Sequence, residues 1–338
     1  MCMNDLPINM LGINLTYKCN LNCFMCGQRN MEIENISREI DFQKLCDFIL
    51  ESKKRGLKYG VYLWGGEPFL YSKIQELLEF LGKNHIFATI NTNGTQLDKY
   101  IDVIVETPVY SRLIISIDGL HEVHDKIRGV KGTYLRVADN IKKINSKKKN
   151  NPIISTNTVV TSENYNQLYE IISGINDLGV NYMDCQLPIF FTDECGNEYE
   201  HIMDSELHSN GYHWRGFRGE YSNIDLEELK SQLDRIREKF GKRFRLSPNL
   251  DNQNLYNYFH DPDSIYPDKV CSLPFSQIHL EPNGNTVICP DFPDYVFGNI
   301  CDNTLSEIWN NEKINLFREK IKNNRLPICS RCCQFYQF

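Results

Sequence analysis

The chain has 338 residues, a formal net charge of −7 and 41% hydrophobic residues. That length allows one barrel-sized domain with a smaller one beside it and a full hydrophobic core, and the negative charge gives no overall field for binding nucleic acid. No stretch approaches the ~20 apolar residues of a membrane span. The first ten residues, MCMNDLPINM, lack the basic start and apolar core of a secretion signal. Thirteen cysteines without such a signal point to a reducing, cytoplasmic setting, with thiols used for metal rather than for disulfides.

Met10 to Thr16 alternates as a first strand and runs straight into CNLNCFMC, Cys19 to Cys26. Phe42, Leu45, Cys46, Ile49 and Leu50 fall at helical spacing, with Gly56 as a stop signal. Lys58 to Trp64 reads as a second strand, and Ile74, Leu77, Leu78 and Leu81 place a helix after Ser72. Ile86 to Gly94 is a third strand. Arg112 to Gly119 is a fourth, apolar enough to be covered on both faces. A helical pattern over Tyr134–Ile144 follows, with the run Lys147-Lys148-Lys149 read as a solvated loop after it. Then come a strand over Ile153–Val160, a helix carrying Leu168, Ile171, Ile172 and Ile175, and a sixth strand over Val180–Leu187.

Six strand–helix alternations imply right-handed βα units around a parallel sheet. Six are too few for the closed eight-stranded barrel. The expected fold is therefore α/β: a (β/α)6 partial TIM barrel over residues 8–188, with chemistry at the C-terminal ends of its strands. From Pro188 to Asn223 the periodicity fails. Residues 189–260 read as a connecting segment and substrate lid, with a helix from Asp225 and one further strand over Arg243–Leu246. Residues 261–338 read as a small α+β domain: a hairpin in EPNGNTVIC, where Pro-Asn-Gly is turn chemistry, and a helix over TLSEIWNN…FREKI.

Two groups of cysteines carry the chemistry. Cys19, Cys23 and Cys26 offer three soft thiolates at the end of the first strand, one short of a closed site, so a metal they hold keeps an open position. In the tail, Cys271 and Cys289 form a distant pair and Cys329 and Cys332 a tight one. Four such ligands can enclose a tetrahedral zinc or an iron–sulfur cluster. Cys333 stands as a substitute ligand beside Cys332, and Cys2, Cys46 and Cys301 read as buried thiols. At strand ends, Gly65-Gly66-Glu67 lets backbone approach a ligand beside a carboxylate. Ser116 and Asp118 could bind a ribose and Arg128 a carboxylate, or they could cap a helix and form a surface salt bridge. His121 and His124 read as outer-face residues.

The CNLNCFMC loop resembles the signature loop of the radical S-adenosylmethionine (SAM) enzymes. The resemblance implies a SAM-binding [4Fe–4S] cluster on Cys19, Cys23 and Cys26. It also implies reductive cleavage of SAM to a 5′-deoxyadenosyl radical, and hydrogen-atom abstraction from a substrate. The family usually has an aromatic residue where Met25 stands, with its backbone near the adenine. The resemblance carries the SAM ammonium to Gly65, Gly66 and Glu67, the ribose and carboxylate to Ser116, Asp118 and Arg128, and nearby contacts to Asn93 and Leu187. The tail resembles the family's auxiliary-cluster domain of twitch or SPASM type, which implies one auxiliary [4Fe–4S] cluster on Cys271, Cys289, Cys329 and Cys332. The same resemblance implies a flavodoxin or ferredoxin electron donor. Net two-electron oxidation is the expected outcome, which needs a base. Asp184, Asp193 and Glu194 are candidates by position, and Cys185 is a candidate hydrogen-atom donor. With only eighteen residues before Cys19, leaving no room for a peptide-recognition domain, the expected substrate is a small molecule such as an amino sugar or alcohol. The alternatives are a peptide to be cross-linked, oxidised or epimerised, and a non-catalytic metal-binding scaffold.

Overall fold

The computed structural model describes residues 8–31, 35–107, 112–219, 223–261, 270–333 and 335; Cys2 lies outside them. Along the first half, β1 (Met10–Asn14), α1 (Phe42–Lys54), β2 (Val61–Trp64), α2 (Ile74–Lys83), β3 (Ala88–Thr92) and α3 (Ile101–Glu106) alternate. The alternation continues with β4 (Arg112–Ser116), α4 (Glu122–Arg128), α5 (Thr133–Lys147), β5 (Ile153–Val159), α6 (Leu168–Asn176) and β6 (Tyr182–Gln186). Then follow α7 (Asp193–Leu207), α8 (Leu226–Phe240), β7 (Phe244–Ser247) and α9 (Asn252–His260). The tail holds β8 (Gln277–Leu280), β9 (Asn285–Val287), β10 (Gly298–Asn299), α10 (Leu305–Asn310) and α11 (Glu312–Asn323).

All ten strands form one sheet in the order β10-β9-β8-β1-β2-β3-β4-β5-β6-β7. The six expected strands are parallel neighbours, and β7 adds a seventh beside β6. The tail hairpin does not stand apart. Its first strand, β8, pairs parallel with β1, aligning Met10 with Gln277 and Ile13 with Leu280. Eight parallel strands thus curve around the interior, with β9 and β10 extending the edge antiparallel.

Strand alternation divides the side chains. Leu11, Ile13, Leu63, Ile90, Leu113, Ile115, Ile154, Met183 and Cys185 are buried in the continuous hydrophobic core. That core also takes Leu45 and Ile49 of α1, Leu77 and Leu81 of α2, Val137 and Ile141 of α5, and Ile171 and Ile175 of α6. Each such aliphatic side chain contributes ~1.5–3 kcal/mol on burial. The inward positions are different: Tyr62, Trp64, Asn91, Arg112, Ser116, Asn157, Asp184, Gln186, Arg245 and His279 bring polar groups to a cavity of about 1210 Å³, which Ile114, Val159 and Leu246 also line. The hydrophobic half of the pattern builds the shell and the polar half keeps its centre open.

The segment after β6 departs from its reading as an aperiodic lid. It contains the 15-residue helix α7, capped by Thr192, whose side chain accepts from Cys195 N. Its buried stripe is Cys195, Tyr199, Met203 and Leu207, four residues apart. That stripe is narrow, with only Gly196 and the half-buried Ile202 beside it and charged neighbours otherwise, which hid the helical period. The segment is fastened at both ends. Asn30 Nδ2 donates to Gly216 O at 3.1 Å. Asp294 in the tail accepts from Tyr199 OH at 2.9 Å, Tyr212 N at 2.8 Å and His213 N at 3.1 Å. The helical reading of the tail holds as two helices, α10 and α11, the first opened by a capping box of Thr304 and Glu307.

Candidate active site

The cysteine loop leaves β1 at the C-terminal end of the sheet and is held from below by the end of β2. Gly66 N donates to Thr16 O at 2.8 Å and Glu67 N to Lys18 O at 2.7 Å. A Cβ on Gly66 would stand 2.3 Å from Lys18 O and 2.5 Å from Tyr17 O, and Gly65 has φ +136. Only glycine permits this approach. On the other side, Asn22 N donates to Arg128 O at 2.9 Å, tying the loop to the end of α4. Cys19, Cys23 and Cys26 all border the cavity. Burial first, with Glu67 and the other two thiols contributing, pushes the Cys19 thiol up to about 11. Burial also raises Cys23, opposed by the adjacent Arg128. Asn93 Nδ2 stands 3.9 Å from Cys19 Sγ and Arg128 Nη1 3.6 Å from Cys23 Sγ. These donors face sulfurs that metal binding would deprotonate.

Met25, Gly65, Gly66, Asn93, Ser116 and Arg128 border the same cavity. Glu67, Asp118 and Leu187 do not, and each is completely buried. Glu67 accepts from Thr92 Oγ1 at 2.7 Å, Asn93 N at 2.7 Å and Phe69 N at 3.1 Å. It therefore braces the loops beneath the ligand position, and its glycine neighbours present the backbone. Asp118 pairs with Arg128 (Nε–Oδ2 2.5 Å) and accepts from Val159 N at 2.8 Å. It orients Arg128 from behind. His124, read as an outer-face residue, is wholly buried and its Nδ1 accepts from Asp118 N at 3.1 Å.

Of the four residues proposed for proton or hydrogen-atom transfer, Asp184 alone borders the cavity. It is held by Arg245 at 2.7 and 2.9 Å and by Arg112 at 3.3 Å. Both of its carboxylate oxygens are thereby engaged by guanidinium donors, Oδ1 by Arg245 and Oδ2 by Arg245 and Arg112. Cys185, one residue along β6, faces the opposite way into the core and is fully buried. Asp193 and Glu194 open α7, where negative charge suits a helix N-terminus, and Asp193 pairs with Arg218 at 2.5 Å.

Sequence reasoning missed three acidic or basic groups on the cavity wall. Glu281 is buried, and desolvation lifts it to about 7. Asp291 is lifted to about 6 by burial. His279 is lowered to about 4 by burial. Glu281 and His279 lie in and just after β8, at spacing two. A period-two signal was there in QIHLE, but only the pairing of β8 with β1 turns that face inward.

In the tail the fold brings Cys271, Cys289, Cys329 and Cys332 together. Burial raises the Cys289 thiol well above its usual value, and then Cys329, Cys271 and Cys332 raise it further. Burial likewise raises Cys329, with Cys332 and Cys271 adding to it. Cys333 points elsewhere. It borders the main cavity beside Tyr62, whose pKa it raises together with Asp291 after burial. Cys46 is buried as expected, whereas Cys301 is exposed. Among the described residues no three His, Cys, Asp or Glu donors close around one ion-sized point. A cubic cluster, by contrast, spreads its thiolates around several irons.

A curved parallel sheet that gathers three thiols over a large chamber at its strand ends is built as a metallocluster enzyme. The sequence pattern of the Radical SAM superfamily matches residues 13–174, and that of the SPASM iron–sulfur cluster-binding domain matches residues 271–333. The chain belongs to the radical SAM superfamily and carries a C-terminal SPASM domain. It is a radical SAM enzyme, with SAM and a [4Fe–4S] cluster as cofactors and iron–sulfur binding in its tail. The tungsten-containing aldehyde ferredoxin oxidoreductase cofactor-modifying protein of Pyrococcus furiosus is 27% identical over 335 residues, 95% of this chain and 86% of that protein. The PqqA peptide cyclase of Gluconobacter oxydans is 23% identical over 329 residues, covering 92% and 79%. SuiB of Streptococcus suis, solved bound to the precursor peptide SuiA, shares the fold with a TM-score of 0.68 at 17% identity, over 97% of this chain and 72% of that one. No helix among the described residues is long and apolar enough to cross a membrane.

Proposed function

We propose that this radical SAM enzyme oxidises a peptide, removing hydrogen from it to form a cross-link or an unsaturated bond. Cys19, Cys23 and Cys26 would hold the SAM cluster, the backbone of Gly65 and Gly66 would receive the SAM ammonium, and Arg128 the carboxylate. When bound, cluster and SAM supply a 5′-deoxyadenosyl radical, the hydrogen-atom acceptor. The protein's part is to hold both ligands in one chamber, keep Arg128 rigid through Asp118, and limit water by packing Phe217 and Gly216 over the cysteine loop.

The observation that carries the oxidation is the assembly of Cys271, Cys289, Cys329 and Cys332 in the tail. A second, fully thiolate-held cluster there would take an electron from the substrate side. A flavodoxin or ferredoxin would supply the electron that starts the reaction. For the substrate, the small-molecule expectation gives way to the peptide one. The cyclase carries peptide in its name, and SuiB was solved bound to a precursor peptide. The second reading, modification of a small cofactor, is favoured by the name of the Pyrococcus relative.

The test is anaerobic reconstitution with iron, sulfide, SAM and dithionite, followed by mass spectrometry of short peptides encoded beside this gene. Formation of 5′-deoxyadenosine together with a peptide lighter by pairs of hydrogens is the expected result. Cofactor turnover with no peptide changed would replace the peptide reading by the second one.

A further inference from the structure

Buried carboxylates in proteins are almost always met by a cation or by hydrogen-bond donors. Glu281 is met on one side only. Its Oε2 accepts from Tyr17 OH at 2.5 Å and Asn14 Nδ2 at 3.2 Å. Its Oε1 is buried with no partner among the described residues, although the side chain borders the cavity. Asn14 Oδ1 is likewise buried and unpartnered, and it faces Gly65, whose Cβ would stand 2.4 Å from it. His279, two residues before Glu281 and on the same inward face, leaves both ring nitrogens unpartnered. The other charged group acting on Glu281 is His213, which lies across the cavity wall and favours the carboxylate. Glu281 Oε1 and Asn14 Oδ1 are thus two buried acceptors that no donor among the described residues meets.

We propose that Glu281, backed by Asn14, is an acceptor site for a protonated amine inside the barrel. An ammonium brings both what the carboxylate lacks as charge and what the two orphan oxygens lack as donors. The inference rests on the reading of the cavity as the SAM and substrate chamber. Two sources offer the same group: the methionine end of SAM, and an amino terminus or lysine of the substrate.

The experiment uses the full-length, reconstituted protein and Glu281→Gln, an isosteric change, with Glu281→Asp as a second variant. Calorimetry compares SAM, decarboxylated SAM and 5′-methylthioadenosine, the last lacking the amine. Saturation-transfer NMR with SAM present follows lysinamide, a probe with ammonium groups and no adenosine. If SAM is the source, Glu281→Gln weakens SAM and decarboxylated SAM by at least about tenfold and spares methylthioadenosine, the loss of one charge-assisted hydrogen bond. If the substrate is the source, lysinamide binding falls by a similar factor while SAM is unchanged. Unchanged binding of every amine in a variant with wild-type circular dichroism would overturn the proposal. Failure of wild-type protein to bind SAM at all would instead sink the reading of the chamber.

Discussion

Arg128 reaches the cavity with its Nε 2.5 Å from Oδ2 of Asp118, a carboxylate with no exposed surface. Burial opposes the charge on Arg128, and Asp118 and then Cys23 outweigh that and hold the guanidinium protonated. The pair is internal, so removing one member strands the other. Asp118→Asn is expected to cost about 3–5 kcal/mol of stability, measured by urea unfolding, and to weaken SAM binding in the same variant. An unchanged unfolding midpoint would show that the pair is not what holds Arg128.

Gly66→Ala tests the clamp beneath the cysteine loop. Its new methyl meets two backbone oxygens, Lys18 O and Tyr17 O, which cannot turn aside like a side chain. The loop must lift, and iron bound at the N-terminal cysteines should fall severalfold after reconstitution, read by iron analysis and electron paramagnetic resonance. Full cluster content would mean that the loop adapts.

The two cysteine sets should separate by function. Cys23→Ala is expected to abolish 5′-deoxyadenosine formation. Cys289→Ala should retain SAM cleavage and lose the oxidised product. Because Cys333 faces the main cavity and Cys332 the tail group, Cys332→Ala should lower tail iron and Cys333→Ala should not. The opposite pair of results would exchange their roles.

Glu281 gives stability a pH dependence. The unfolded chain ionises it near 4.5, the folded one only at about 7. Between those values the unfolded state binds fewer protons, so stability is fullest below the unfolded pKa, declines as pH rises and levels off above about 7. The span corresponds to ~3 kcal/mol. Glu281→Gln removes this decline, so its stability relative to wild type should rise across the window. Parallel urea midpoints of the two proteins on both sides of the window would contradict the assignment.

The sheet's first six strands and the helices α1, α2, α5 and α6 were legible because each is written in local spacing: period two or an apolar run for strands, period 3.6 for helices; the short helices α3 and α4 were not. The trio Cys19, Cys23 and Cys26 and the tail pairs stand out in the sequence by residue type and interval. The helix α7 was not legible, since its apolar stripe is too narrow to stand out from charged neighbours.

What the sequence by itself determined was the order of elements and which residues could ligate a metal. Only the tertiary structure decided where they face. Pairing of β8 with β1 extends the sheet with a strand from the far end of the chain and turns His279 and Glu281 into the chamber. Alternation on β6 sends Asp184 inward and Cys185 outward. Three-dimensional packing sinks Glu67 and Asp118 behind the ligand wall as braces. Local intervals fix periodicity, whereas burial and facing depend on which distant strand becomes the neighbour, and no short stretch of residues contains that information.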